Sequence, residues 1–119
     1  MIKAEWREAI KKACSEAGTY RPFFDTIIEE LAQILEIRDT AMAQYVASGN
    51  SPVVTHTNKG GHSNIVKNPA LAVINEQNQQ ALAYWRDLGL TPAGYRKLNG
   101  DALEKRDTTF EDALAKIGV

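Results

Sequence analysis

The chain has 119 residues, 44% of them hydrophobic, which is the size of one domain and enough apolar mass to bury roughly two-thirds of its unfolded surface. Fourteen Lys and Arg against fifteen Asp and Glu leave a net charge of −1, which excludes a polycation held to nucleic acid or anionic lipid by bulk charge. The single cysteine, Cys14, excludes an internal disulfide and a Cys-rich zinc site and fits a reducing compartment.

The opening segment mixes charges into its apolar positions, unlike a signal peptide, and no later window reads as a membrane-spanning run. A soluble, untargeted chain is expected. Ile2, Trp6, Ala9, Ile10, Ala13 and Ala17 recur at three- or four-residue spacing and predict a first helix over residues 2–17, closed by Gly18. Its other face mixes Lys3, Arg7, Lys11 and Lys12 with Glu5, Glu8 and Glu16, a pattern that satisfies much of its own charge.

Thr19 to Pro22 opens a second helix, because proline suits a first turn whose N–H groups are unpaired anyway. Phe24, Ile27, Ile28, Leu31, Ile34, Leu35, Met42, Tyr45 and Val46 carry its apolar stripe to about Ser48. At 1.5 Å per residue that run is ~40 Å long, and its stripe is wide enough to face more than one neighbour.

Gly49, Asn50, Ser51 and Pro52 break the pattern, and Val53 to Thr57 then reads as a strand. After the Asn58-Lys59-Gly60-Gly61 turn, His62 to Val66 reads as its partner. A two-stranded hairpin alone is marginal in water, so this one must rest on helices or on another subunit, and its edges invite pairing between chains.

Asn68-Pro69 supplies an N-cap and first turn for a third helix reaching Leu88. Leu71, Ile74, Asn78, Ala81, Trp85 and Leu88 form a heptad seam with Asn78 as a polar register position. Gly89 ends the helix, and Thr91-Pro92 starts a short basic segment through Tyr95, Arg96, Lys97 and Leu98 that Asn99-Gly100 closes. Thr109, Phe110, Leu114 and Ile117 predict a short C-terminal helix or tail within residues 101–119. The expected architecture is one mainly α domain over residues 1–100, with a long central helix and a hairpin near 53–66, and it is oligomeric. Local charge runs about +2 through Arg21, −4 to Asn50, +3 to Gly100 and −2 thereafter.

The histidines, His56 and His62, both flank the glycine turn, and a hairpin followed by a helix is the outline of a ββα-metal nuclease. That site needs ligands on the following helix, which offers only Asn75, Glu76 and Asn78, so a nuclease using His56 ranks last among the readings. Cys14 lacks a glycine elbow and an activating base, and the Asn58–Gly61 turn lacks the Lys-Ser/Thr ending and helix of a phosphate loop. No catalytic residue, metal ligand or cofactor site is therefore assigned. The first two helices match a helix-turn-helix only loosely, since the second is long and acidic. Trp6, Tyr45, Trp85 and Tyr95 lie on or near apolar stripes and read as core or interface.

The segment KNPALAVINEQNQQALAYWRDLGLTPAGYRKL resembles the P27-type phage terminase small subunits. In that family a long helix containing a tyrosine leads to a glycine-rich connection, an Asn/His-Pro helix start, a leucine-spaced helix and a Leu-Gly-Leu-Thr/Ser-Pro ending. Here these correspond to the helix ending near Tyr45, Gly60 and Gly61, Asn68-Pro69 with Leu71, the run through Leu88, and Gly89, Leu90, Thr91, Pro92 and Leu98. The chain departs after Pro92-Ala93, where the family commonly has Ser then Arg and this sequence has Gly94, Tyr95 and only then Arg96.

The resemblance implies a non-catalytic component of genome packaging in the host bacterial cytoplasm, without a cofactor of its own. Such subunits form rings, recognise viral double-stranded DNA and regulate a large subunit that holds the ATPase and nuclease. On that reading the densest basic group, Lys3, Arg7, Lys11 and Lys12, bears the DNA contacts, with Lys59 secondary. The long second helix and the Leu71–Leu88 seam are expected to build both the subunit core and its contacts with neighbours, with Leu31, Leu35, Ile74, Asn78 and Trp85 assigned to the contacts between subunits and the hairpin extending the assembly. The competing reading is a small helical regulator that binds DNA as a dimer, which needs the same amphipathic helices but neither a ring nor a large subunit.

Overall fold

The computed structural model describes residues 1–99. The expected helix or tail at 101–119 lies outside the described residues. The architecture is mainly helical: α1 (Lys3–Ala17), α2 (Asp25–Ala47), strands β1 (Val53–Thr57) and β2 (Ser63–Lys67), and α3 (Pro69–Asp87). A further helical stretch covers residues 92–99.

Local chemistry sets the boundaries. The Glu5 carboxylate accepts the Ile2 N–H at 3.1 Å at the start of α1, and Gly18 ends the helix in the left-handed region at φ 74°. Thr19 and Tyr20 both donate their backbone N–H to the Cys14 carbonyl, satisfying an acceptor the helix end would leave open. The proline start of the second helix takes a tighter form than expected: Pro22–Phe24 is a 3-10 turn, and the α-helix begins at Asp25. Asn68 caps α3, its side chain accepting the Ala70 N–H at 3.1 Å. Thr91 caps the last stretch by accepting the Gly94 N–H at 3.0 Å.

The apolar stripes meet around α2, which packs extensively on both α1 and α3. Ile10 and Cys14 from α1, Phe24 from the 3-10 turn, Ile28, Leu31, Ala32, Ile34 and Leu35 from α2, and Ala81 with Leu88 form the buried core. Trp6, Tyr20, Tyr84 and Trp85 close over its rim.

Of the residues assigned to the subunit interface, Leu31 and Leu35 are 0% exposed within the single chain and belong to its core. Ile74 is likewise buried, and Trp85 is half-buried against the chain's own core. Asn78 sits on an exposed part of α3, where it accepts a long 3.5 Å bond from Arg38 rather than filling a buried seam.

The hairpin stands apart. Its strands pair antiparallel, with Val54 opposite Val66, Thr55 opposite Ile65 and His56 opposite Asn64, and the second strand starts one residue later than the spacing predicted. Neither strand packs extensively on a helix.

Candidate functional site

Two surfaces carry the residues singled out by the sequence: the outer face of α1 and the hairpin. On α1, Arg7 forms a forked pair with Glu29 of α2, its Nη2 donating to Oε1 at 2.8 Å and its Nε donating to Oε2. Lys3 Nζ approaches the same carboxylate at 3.0 Å. Hydrogen bonds from Arg7 and then Lys3 hold the Glu29 carboxyl at about 2, well below its ordinary 4.5, and Glu29 in turn raises the Arg7 guanidinium. Half of the predicted basic group is therefore engaged in fastening α1 to α2.

Lys11 lies 5.3 Å from the centre of the Tyr20 ring, and the Tyr20 hydroxyl donates to Asp25 at 2.8 Å. Lys12 reaches only the weak, exposed Glu16 pair at 3.9 Å. These two remain the outward-facing cations among the four. Arg38 of α2 is committed inward, stacked over Trp6 and bonded to Asp39, while the Trp6 indole donates to the same aspartate at 2.7 Å.

The hairpin turn is organised by Asn58, whose side-chain oxygen accepts the N–H groups of Gly60 and His62, both at 3.0 Å. Gly61 adopts φ 79°, which explains a glycine there. Lys59 is thus presented at the tip. Residues 53–67 contain Lys59, Lys67, His56 and His62 and no carboxylate. The ribbon is divided along its length: Val53, Val54, Ile65 and Val66 lie at its base, and Thr57, Asn58, Lys59, His62 and Ser63 at its end. Ile65 is 76% exposed.

The base of the hairpin is fastened to the helices. Asn68 Nδ2 donates to Ser48 Oγ at 3.1 Å and to the Ser51 carbonyl at 3.0 Å, and its backbone N–H donates to Pro52 at 2.9 Å. Beside it an open groove of about 250 Å³ runs between α2 and α3, lined by Glu36, Ile37, Thr40, Ala41, Gln44 and Val73.

A profile of the family described as phage terminase, small subunit, matches residues 3–105. The chain belongs to the phage terminase small-subunit family. Its members' role in phage genome packaging is thereby the role of this protein. No curated protein and no solved structure matches the chain.

In this small subunit the departure at Gly94 has a steric reading, because a Cβ there would collide with the Arg86 carbonyl oxygen of α3. The short stretch at 92–99 approaches α3 too closely for the serine common at this point. Arg96, the displaced arginine, is exposed. His56 stands opposite Asn64 on the exposed ribbon, and among the described residues no three of His, Cys, Asp and Glu come together as a metal set. No helix among the described residues is long and apolar enough to cross a membrane.

Sequence reasoning missed Glu29 and the Ile37–Val73 groove. Glu29 was visible as one of several acids on α2, but its pairing with Arg7, 22 positions away, leaves no periodic signal. Ile37 falls outside the core stripe, and that position was its only sequence signal.

Proposed function

We propose that the protein is the non-catalytic, DNA-recognising component of a packaging motor in the host bacterial cytoplasm, assembled as a ring of identical copies. It regulates a large subunit that carries the ATPase and nuclease. The observation that carries this reading is the family match over residues 3–105. The surface chemistry supports it: each copy presents Lys11, Lys12 and Lys59, and repetition around a ring turns a few weak phosphate contacts into useful affinity. A net charge of −1 is then no obstacle to binding a polyanion.

Lys3 and Arg7 become secondary DNA contacts because Glu29 already engages them. The test is binding of the full chain to duplex DNA over a salt series, with Lys11, Lys12 and Lys59 jointly changed to Glu. Loss of three phosphate contacts lowers the slope of log affinity against log salt by roughly 2.7 per subunit engaged. An unchanged affinity and slope would remove these residues from the interface. Light scattering of the parent protein separates a ring from the dimeric regulator by mass.

A further inference from the structure

Two surfaces of this subunit carry exposed apolar side chains that no other described residue covers, and they match each other. The first is one face of the hairpin. Antiparallel register places Val53 and Lys67, Thr55 and Ile65, and Thr57 and Ser63 on the same side, with Val53 44% and Ile65 76% exposed. The second is the groove between α2 and α3, lined by Ile37 and Val73 together with Glu36, whose half-buried carboxylate also accepts the Lys3 backbone N–H through Oε2 at 2.6 Å. The hairpin brings cations and no carboxylate; of the five carboxylates of α2, Glu36 lines the groove, while Asp25, Glu29 and Asp39 are paired elsewhere within the chain.

We propose that the Val53–Ile65–Lys67 face of one subunit's hairpin docks in the Ile37–Val73 groove of the next, a head-to-tail contact between copies of this chain. The inference rests on the self-assembly reading above. Ile65 fills the groove and Lys67 meets Glu36 at its edge. Among the described residues, the chain's own strands make no extensive contact with its helices. Pairing of two hairpins with each other is disfavoured, since it would bring together ribbons that carry lysines and no acid. Because the two surfaces differ, each subunit uses one on either side, a heterologous contact that propagates from copy to copy and gives a ring where the rotation closes. Duplex DNA is a poorer occupant for this face, since phosphates gain nothing from Ile65 or Val53, and the Lys59 tip stays clear of the contact for them.

The experiment uses two full-length variants, Ile65→Asp and Ile37→Asp, both at exposed positions where surface changes cost little fold stability. Circular dichroism melts confirm that each is folded, and light scattering gives mass. Each variant alone falls to the 13.1 kDa single chain, because every copy lacks one half of the contact. Mixed, they form a species of twice that mass and no larger, since one intact hairpin meets one intact groove. A folded Ile65→Asp protein that keeps the parent's mass overturns the proposal, including the case in which it loses DNA affinity instead. So does a mixture that stays monomeric. A parent that is itself monomeric at every concentration overturns the assembly reading as well as the contact built on it.

Discussion

Leu35→Ala separates a residue of the chain's own core from a residue between subunits. Leu35 is 0% exposed and sits in the part of α2 that packs with α1 and α3, so truncation leaves a cavity that two helices would have to close together. Leucine-to-alanine changes at such sites cost about 2–5 kcal/mol, the spread reflecting how far the surroundings collapse. Each kcal/mol lowers Tm by about 4–8 °C in a domain of this size, so a cost of about 3 kcal/mol gives a fall of roughly 12–24 °C. The assay is a circular dichroism melt at several protein concentrations, with Ile37→Ala as the exposed comparison on the same helix. Ile37 is 40% exposed, and its truncation shifts monomer stability far less. The reasoning fails if Leu35→Ala melts within a few degrees of the parent while its assembled mass collapses, the signature of a side chain spent on a neighbour.

Other expectations follow from the same contacts. Glu29 is held at about 2 in the folded chain against an ordinary 4.5, so its contribution to stability is complete above pH 4.5 and is lost as pH falls through about 2. Glu29→Gln should therefore flatten the urea midpoint across that window, and an unchanged acid profile would contradict the clamp. Asn68→Ala removes a helix cap and both side-chain bonds to the hairpin base, so it should cost about 2 kcal/mol, the upper end for a cap, in a urea titration. A loss within error would mean that water replaces those bonds without penalty. Gly94→Ala gains helix propensity of about 1 kcal/mol but places its methyl against a carbonyl oxygen of α3, and overpacking of about 1–3 kcal/mol should decide the sign. A higher urea midpoint for this variant would show that residues 92–99 shift freely away from α3.

The features legible in the sequence were those set within a few residues. Gly18, Asn68-Pro69 and Thr91-Pro92 mark their helix ends because capping is a local hydrogen-bond requirement, and the structure shows each of them capping. The turn at Asn58–Gly61 is local in the same way. The 3-10 start at Pro22 escaped the reading because proline at a first turn permits either helix type. The candidate site was less legible. Counting cations gave Lys3, Arg7, Lys11 and Lys12 equal weight, yet one acid on another helix already pairs with two of them. Periodicity likewise shows that Leu31 and Leu35 face something apolar without saying whether that partner is α1, α3 or a second chain. Asn78 fits a heptad on paper, but the stripe drifts around a straight helix and leaves it at the edge.

The three bonds made by Asn68 have a mechanical meaning. A five-residue ribbon reaches ~17 Å beyond its base. On a slack linker a load applied at Lys59 would dissipate in the loop. Here Asn68, the residue just before α3, holds Ser48, just past the end of α2, and the Ser51 carbonyl through its side chain, and the Pro52 carbonyl at the foot of β1 through its backbone N–H. The foot of the ribbon is thereby tied both to the end of α2 and to the start of α3, so its anchorage is shared by the two longest helices.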